Sequence, residues 1–496
     1  MKQLDLKSLE VWFVTGSQSL YGEETLRRVD NDSSTIVEEL NKSTVIPVTI
    51  VFKPVMKTLD EIYQLCLDAN SRANCIGLIT WMHTFSPAKM WIQGLSVLNK
   101  PFAHLHTQFN RDIPWNAIDM DFMNLNQSAH GGREFGFICS RLRLNRKVIV
   151  GYWADEKVQR KIGNWTRSAI GYHASKSLKI CRLGDNMKYV AVTEGDKVEA
   201  QKVFGWQVNY HGIGELVAAM GTIPEKQIDG LMDIYSSEYR LDDKKNKSVR
   251  YQAKIELGLK KLLDENGYKA FTTNFEDLTG LKQLPGLACQ HLMAQGYGFG
   301  AEGDWKQSAL VHIMKTMAIG LRGGCSFMED YTYNLDPVQP SVLVAHMLEI
   351  CPSIAKDRPV VEVHPLGIGD REDPARLVFS APAGEGVAAS VVDMGGRMRF
   401  ILNEVTTITP QDLPKLPVAR ALWVPKPSLE VGASAWILAG GAHHTSFTMA
   451  LSREMLEDFA EMFDLEVVVI DAETTISGLK KELKWNDLYY HLAKGL

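Results

Sequence analysis

The sequence predicts two α/β domains followed by an antiparallel β-domain, either a barrel or a sandwich. Short apolar runs alternate with amphipathic segments in the first third of the chain, and a second such series begins near residue 177. After about residue 324 the short strands are evenly spaced and separated by Gly/Pro turns, without helices between them. At 496 residues the chain is too long for one ordinary core, so two to four domains are expected.

The first α/β unit begins with the β-branched and aromatic run at residues 11–15, which ends in a glycine turn at 16–22. Further strand-like runs follow at 45–51, 75–80, 102–106 and 148–152. Helices alternating with strands indicate a mainly parallel sheet, and such sheets bind ligands beyond the carboxyl ends of their strands. The residues expected there are Gln18, Leu20, Tyr21, His83, Phe85, His106 and residues 127–130.

The second series starts at residues 178–183 and continues through 184–187 and 190–193. A charged helical stretch at 236–266 separates it from the run at 270–275. The expected strands of the third region are 360–363, 376–379, 386–392, 398–402 and 418–424, and an amphipathic helix at 452–463 precedes a last strand at 467–471. The predicted domains are therefore residues 1–176, 177–325 and 326–496.

Composition restricts the classes of function. The formal charge of -5, without any Lys/Arg cluster, argues against binding to nucleic acid. No apolar segment approaches the roughly 20 residues of a membrane span, and the charged amino terminus does not resemble a signal peptide. The seven cysteines are odd in number and show no C-x-x-C spacing, which favours reduced thiols and a cytoplasmic location.

Several ionisable residues lie in apolar surroundings between residues 296 and 351. Glu302 stands between glycines near Asp304, Glu329 follows Phe327-Met328, and His346 interrupts the run at 342–348. Because a buried charge is costly unless something pairs with it, these residues are expected to share a partner. The pair His443-His444 follows the apolar run at 435–439 in the same way. Two glutamates and two histidines therefore predict a divalent-metal site.

Two of these residues also have a simpler interpretation. Glu302 could be a surface acid in a turn, and His346 a core histidine bonded to a carbonyl. If the segment around His346 is helical, Glu349 lies one turn away and is a rival ligand. Strand alternation sends Glu329 and Asp330 to opposite faces, and it predicts that only one residue of the pair His443-His444 faces the site.

The donor set favours Mn²⁺ or a similar ion. Zinc is disfavoured because there is no thiolate and no H-E-x-x-H motif, and calcium would require a site without the histidines. Residues 298–303 match G-x-G-x-x-G, but the segment before them reads as a helix instead of a strand, so the dinucleotide signal is weak. Neither a Walker loop nor a G-x-S-x-G elbow occurs.

Six motifs together resemble the bacterial L-arabinose isomerase family. They are GSQSLYG at 16–22, NLNQSAHGGREFG at 124–136, FTTNFED at 271–277, EGDW at 302–305, FMEDYTY at 327–333 and GAHHT at 441–445. The similarity runs from about residue 10 to the carboxyl terminus and keeps the order of the motifs.

The resemblance implies two flavodoxin-like or Rossmann-like α/β domains followed by a carboxy-terminal antiparallel β-barrel. It implies interconversion of L-arabinose and L-ribulose through a cis-enediol, together with conversion of D-galactose to D-tagatose. The expected cofactor is Mn²⁺, one ion per subunit, with Co²⁺ or Mg²⁺ as substitutes. The expected assembly is a homohexamer whose active sites are shared between subunits, with no nucleic-acid or membrane partner.

By position, the resemblance assigns the metal to Glu302, Glu329, His346 and His444. Glu302 and Glu329 also match the family's proton-transfer pair, and which of them removes the carbon-bound proton is left open. The sugar pocket is assigned to Gln18, Leu20, Tyr21, Phe85, Gln127, His130, Met187, Phe275 and Tyr331, with the equivalent of His130 coming from a neighbouring subunit. Ser19 stands where a bulkier polar residue is expected.

Two rival functions remain at this point. One is a different aldose–ketose isomerase on the same scaffold, acting on L-fucose or D-galactose. The other is a cytoplasmic sugar-binding protein or regulator, which would explain the glycine loops and aromatic residues but leaves the carboxylates and histidines without a purpose.

Overall fold

The computed structural model describes residues 4–367 and 371–494. The chain forms two compact units. The amino-terminal unit comprises residues 4–173 and 454–464, and the second unit comprises residues 174–453 and those from 465 onward. Within the described ranges, no helix has both the length and the apolar character needed to cross a membrane.

The amino-terminal unit contains a five-stranded parallel sheet in the order β2-β1-β3-β4-β5, which is the flavodoxin-like order. Its strands are β1 Glu10–Gly16, β2 Thr49–Phe52, β3 Cys75–Met82, β4 Phe102–His106 and β5 Lys147–Val150. Its helices are α1 Gly22–Lys42, α2 Leu59–Ser71, α3 Ile92–Val97, α4 Met120–Leu125, α5 Ser128–Arg141 and most of α6 Glu156–Ser175. All five strand positions follow the predicted runs.

Burial explains why the sequence predicts these strands correctly. All eight residues of β3 and six of the seven in β1 are buried. Central strands covered by helices on both faces appear as continuous apolar runs. Trp12, Leu78 and Trp91 pack with the helical Phe135 in one core cluster on this sheet.

The second unit contains a four-stranded parallel sheet in the order β7-β6-β8-β9. Its strands are β6 Lys179–Leu183, β7 Gln207–His211, β8 Ala270–Thr272 and β9 Gly298–Gly300. Its helices are α7 Lys197–Phe204, α8 Ile213–Gly221, α9 Glu225–Glu238, α10 Lys247–Asn266, α11 Gly286–Ala294 and α12 Trp305–Met317. The apolar run at 190–193 forms a 3₁₀ turn. The sequence does not predict strand β7, because this edge strand is polar and only partly buried.

The G-x-G-x-x-G match lies on β9 and the turn after it, and its glycines serve packing. A Cβ added at Gly298 would lie 2.0 Å from the Ser308 carbonyl oxygen, and one at Gly300 would lie 2.2 Å from the Asp304 oxygen. The glycines therefore let helix α12 lie directly against β9.

The same unit continues into a closed antiparallel β-barrel, which confirms the predicted fold class. Six strands follow the order β14-β17-β10-β11-β16-β15, pairing of β14 with β15 closes the ring, and β18 extends it in parallel beside β15. These strands are β10 Cys325–Asn334, β11 Ser341–Ala345, β14 Gly384–Asp393, β15 Met398–Ile408, β16 Arg420–Pro425, β17 His444–Thr448 and β18 Glu466–Ile470.

The predicted strands near 360 and 376 are not part of the barrel. They form a separate two-stranded sheet, β12 Val360–Val363 with β13 Ala375–Val378. The remaining helices are α13 Leu429–Leu438, α14 Arg453–Glu461 and α15 Ile476–Lys494. Most of α14 belongs to the amino-terminal unit, so the predicted division into residues 1–176, 177–325 and 326–496 stays a prediction.

A buried ionisable network joins three helices of the second unit. The Tyr235 hydroxyl donates to Glu256 over 2.6 Å, and Nδ1 of His291 lies 2.7 Å from the same carboxyl group. Nε2 of His291 lies 3.2 Å from Glu238. Burial alone would lower the pKa of His291, but Glu256 and Glu238 raise it above its ordinary value.

We expect the stability lost in His291→Gln to depend on pH. Because folding raises the pKa of His291, its contribution is fully present below about pH 6.5 and is lost as pH rises through the folded pKa. Denaturant unfolding of the full-length protein and variant across this range measures the difference.

His312→Gln is the matched control. Burial lowers the pKa of His312 to about 4, so the stability that its neutral ring contributes grows as pH rises through that region. The stability lost in His312→Gln should rise with pH from about 4 to 6.5, whereas the stability lost in His291→Gln should fall as pH rises above about 6.5. A loss in His291→Gln that does not fall above about pH 6.5 would contradict the assignment of charge to His291.

Candidate active site

Glu302 lies in a strained turn between β9 and α12. Its φ of 60° is in the left-handed region, which costs a residue with a Cβ about 1–2 kcal/mol. Its carbonyl oxygen accepts from the Met187 N–H over 2.9 Å, and the following Gly303 N–H donates to Thr273 over 3.1 Å. These bonds hold the turn and place the Glu302 side chain in a largely buried position.

His444 begins strand β17 and is fully buried. Its Nδ1 lies 3.0 Å from Oδ2 of Asp304, and its Nε2 lies 3.5 Å from Oε2 of Glu302. Burial pushes the pKa of Asp304 up, but Lys306, His444 and the Gln307 N–H together hold it below its usual value. An ionised Asp304 fixes the His444 tautomer and directs Nε2 toward Glu302.

Glu329 lies on β10, between strand β17, which begins with His444, and strand β11, which ends just before His346. Its backbone pairs with His444 of β17 on one side and with Ala345 of β11 on the other. His346 directly follows Ala345, and its Nε2 lies 3.8 Å from Oε2 of Glu329. The register of three strands thus brings the Glu329 carboxylate beside the His346 ring and pairs the Glu329 backbone with that of His444.

The segment after β11 is not helical, so the condition under which Glu349 would share a helix face with His346 as a rival ligand is not met. Oε2 of Glu349 instead lies 2.5 Å from Nδ1 of the buried His346. The two buried histidines therefore have the same arrangement, in which a carboxylate holds Nδ1 and Nε2 points toward a glutamate.

Both adjacent histidines reach the site, contrary to the prediction that only one of them does. His443 precedes β17, so the alternation of side chains along a strand does not apply to it. Ligand atoms of Glu302, His443 and His444 therefore lie within 4.8 Å of one another. Nε2 of His443 is also 4.0 Å from Glu329. We call Glu302, Glu329, His346, His443 and His444 the carboxylate–histidine cluster.

Asp330 points away from this cluster, as strand alternation predicts. Its carboxyl oxygen Oδ1 is buried, and the residue lines a small cavity together with Asn403, Trp423 and Thr445. Burial, with a contribution from the charge of Glu329, raises its pKa to about 7. Only Glu329 of the pair is therefore available to the cluster.

Aromatic side chains surround the cluster. The Phe327 ring meets the rings of His346 and His444 edge-on, at centroid distances of 5.3 and 5.1 Å. Phe275 stacks against His346 at 6.0 Å. The phenol of Tyr331 is half-exposed, and burial, with a contribution from the charges of Glu329 and Glu302, raises its pKa.

The predicted sugar-contacting residues fall into two groups. Met187, Phe275 and Tyr331 belong to the second unit, with the cluster. Gln18, Leu20, Tyr21, Phe85, Gln127 and His130 belong to the amino-terminal unit, after the carboxyl ends of β1 and β3 and around the start of α5. In that unit Phe85 stacks on His130 at 4.5 Å, and Oε1 of Gln127 lies 3.1 Å from Nδ1 of His130. Their part in sugar binding stays a prediction.

The cluster fits a divalent cation. Oε2 of Glu302 and Nε2 of His444 face each other and are both buried, yet neither has a hydrogen-bond partner among the described residues. Unsatisfied buried polar atoms are rare and require an explanation. A cation between carboxylate oxygens and imidazole nitrogens would satisfy both atoms, and this donor set suits Mn²⁺.

Comparison with known proteins gives one consistent family. Family models for the amino-terminal, central and carboxy-terminal domains of L-arabinose isomerase match residues 5–177, 179–320 and 324–466. Proteins called L-arabinose isomerase from Geobacillus thermodenitrificans and Herpetosiphon aurantiacus are each 57% identical to this chain. The first match covers 98% of this chain and 99% of the relative, and the second covers 99% and 100%.

We expect Gly303→Ala to destabilise the protein and disturb the Glu302 turn. Gly303 has a φ of +89°, and an added Cβ would lie 2.5 Å from the Asn186 Cα, so strain and a clash combine. The loss should exceed about 2 kcal/mol in denaturant unfolding.

Gly267→Ala is the matched control, because Gly267 has a φ of +73° but nothing within 4 Å of an added Cβ. It should lose only about 1–2 kcal/mol, the cost of the left-handed backbone alone. Equal losses in the two variants would show that the close approach to Asn186 is unimportant.

Proposed function

Because the chain belongs to the L-arabinose isomerase family and is therefore an enzyme, we propose that it interconverts L-arabinose and L-ribulose with a divalent metal ion. The observation that carries the proposal is the facing pair of buried ligand atoms on Glu302 and His444, neither of which has a hydrogen-bond partner among the described residues. Two carboxylates beside oriented imidazoles suit proton transfer at a metal, which a sugar-binding protein does not need.

The residues proposed to hold the ion are Glu302, Glu329, His346 and His444, with His443 close to both glutamates. We propose Mn²⁺, with Co²⁺ or Mg²⁺ as substitutes. The bound ion would polarise the oxygens on C1 and C2 of the sugar and favour the enediolate charge that develops on them. Asp304 and Glu349 hold the two buried imidazoles in one orientation.

The two glutamates are proposed to move the protons. One takes the proton from C2 and returns it to C1 through a cis-enediol of the sugar, while the other transfers the hydroxyl proton between the oxygens. Burial alone would raise the pKa of Glu302. His443 and His444 have the larger effect and hold the pKa well below its usual value, so Glu302 is ionised. Which glutamate acts on carbon stays open.

The sugar is proposed to contact Met187, Phe275 and Tyr331 from the second unit, together with Gln18, Leu20, Tyr21, Phe85, Gln127 and His130. We further propose a homohexamer in which the residue at His130 completes a neighbouring subunit's pocket. The exposure of Leu20 (84%) and His130 supports this, because such a contribution requires accessible side chains. The seven buried, unpaired cysteines support a cytoplasmic location.

D-galactose, which has the same stereochemistry as L-arabinose at the reacting carbons, is the second proposed substrate, with D-tagatose as its product. A panel of L-arabinose, D-galactose and L-fucose, assayed with Mn²⁺, tests this specificity. The proposal requires the highest kcat/KM for L-arabinose, and a preference for L-fucose would overturn it.

We expect Glu302→Gln and Glu329→Gln each to lower kcat by about 10²–10⁴-fold, because each removes a proton-transferring group. The assay is L-arabinose conversion by metal-stripped protein with Mn²⁺ added back or withheld. Glu362→Gln, which changes a carboxylate bonded to His364 outside the cluster, is the control and should retain activity. Near-wild-type turnover in either cluster variant, or full activity after EDTA treatment, would refute the mechanism.

We expect Glu349→Gln to weaken Mn²⁺ binding by about 10–100-fold, because the carboxylate that orients His346 is lost. Titration of metal-stripped protein with Mn²⁺, followed by the paramagnetic signal of free Mn²⁺, measures the affinity. Glu256→Gln removes a comparable buried carboxylate from His291, away from the cluster, and should leave Mn²⁺ affinity unchanged. If both variants bind Mn²⁺ like the unmodified protein, His346 is not a ligand.

A further inference from the structure

Lys306 is the only buried lysine among the residues that the structure describes, and the proposed proton transfers do not use it. Only 1% of its surface is exposed, and it is the second residue of helix α12. Burial disfavours an ammonium group, and the partial positive charge at the amino terminus of a helix disfavours it further. Because two costs act at one position, we expect this lysine to have a role that a neutral side chain could not fill.

The ammonium group of Lys306 binds the loop between β6 and α7, residues 184–196, which we call the β6–α7 loop. Its Nζ donates to the carbonyl of Val192 over 2.8 Å and to the carbonyl of Glu194 over 2.6 Å. Both carbonyls lie in the second half of the loop. The side chain of Lys306 therefore holds this half against the first turn of helix α12.

The first half of the same loop carries Met187, which is assigned to the sugar. The N–H of Met187 donates to the Glu302 carbonyl over 2.9 Å. The side chain of Asn186 donates to the carbonyl of Thr193, which connects the two halves of the loop. A shift at the end held by Lys306 is therefore expected to reach Met187.

The charge of Lys306 also supports the metal site. Its Nζ lies 3.4 Å from Oδ1 of Asp304, and both side chains are buried. The same oxygen accepts from the Gln307 N–H over 3.2 Å, while Oδ2 lies 3.0 Å from Nδ1 of His444. Because a buried carboxylate is costly without a cation, Lys306 stabilises Asp304 in the position that orients His444.

We propose that Lys306 is a positioning residue that acts on the metal site through Asp304 and on the sugar through the β6–α7 loop. The inference rests on the proposed isomerase function. A single charge supports both partners, so its removal should weaken metal binding and sugar binding together. A lysine with a purely structural role would change the stability of the protein and leave both binding constants of the folded protein unaltered.

The first test variant is Lys306→Met, which keeps an unbranched side chain and removes the charge. We expect Mn²⁺ to bind metal-stripped protein about tenfold more weakly, since His444 loses its support. At saturating Mn²⁺ the KM for L-arabinose should rise about tenfold, with a smaller change in kcat, because the β6–α7 loop is displaced. Titration followed by the paramagnetic signal of free Mn²⁺ gives the affinity, and initial rates give KM and kcat.

Lys315→Met is the matched control, because Lys315 lies on the same helix but its Nζ is 3.0 Å from Sγ of Cys351. It should change neither the Mn²⁺ affinity nor the KM.

Gly195→Ala separates the two effects. An added Cβ would lie 2.9 Å from the Trp305 ring and 3.3 Å from Cδ of Lys306. Trp305 is fully buried and has little room to move, so the loop is displaced while the charge stays. This variant should raise KM about tenfold and leave the Mn²⁺ affinity unchanged. It decides the matter if thermal unfolding shows that Lys306→Met does not fold.

An unchanged Mn²⁺ affinity or an unchanged KM in folded Lys306→Met would overturn the proposal, as would an unchanged KM in Gly195→Ala. If the unmodified protein binds Mn²⁺ and converts L-arabinose, such a result refutes the role of Lys306 alone. An unmodified protein that does neither would overturn the proposed function and this inference with it.

Discussion

The active-site geometry depends on the register of three antiparallel strands. Strand β10 holds Glu329 opposite His444 on one neighbour and opposite Ala345, the residue before His346, on the other. Side chains alternate along a strand, so a slip of one residue would turn Glu329 into the barrel and expose Asp330 in its place. Closure of the barrel by the ten-residue pairing of β14 with β15 leaves no free edge along which these strands could shift.

A buried group of acids and histidines is electrostatically expensive, and the structure offsets the cost through its neighbours. Asp304 and Glu349 each bond one imidazole, and Lys306 lies 3.4 Å from Asp304 while donating to two backbone carbonyls. Lys306 is itself buried, so its charge acts in a medium of low polarity where it is strongest. Oε2 of Glu302 and Nε2 of His444 stay without a hydrogen bond and face each other, which is where a cation is needed.

The sequence predicted the fold well wherever burial produces a simple pattern. Strands such as β3 are buried on both faces and appear as apolar runs, and alternation along β10 separated Glu329 from Asp330. The errors arose where the local pattern does not determine the partner. Edge strand β7 is polar, His443 lies just outside β17, and Glu349 meets His346 in a loop instead of on a helix. Asp304 was identified only as a neighbour of Glu302, although an Asp at the start of a helix is an N-cap signal.

The glycines around Glu302 show how one pattern of letters can have different physical causes. In a dinucleotide-binding loop such glycines make room for a phosphate, whereas here Gly298 and Gly300 make room for helix α12 and Gly303 for the Asn186 backbone. The close packing fixes both ends of the turn, so the strained φ of Glu302 persists because the surrounding structure over-determines it. A freely rotating glutamate would sample many positions, and holding it toward His444 reduces the entropy that must be lost when a ligand is bound. The tight glycine packing of this unit is therefore a condition for the placement of its central carboxylate.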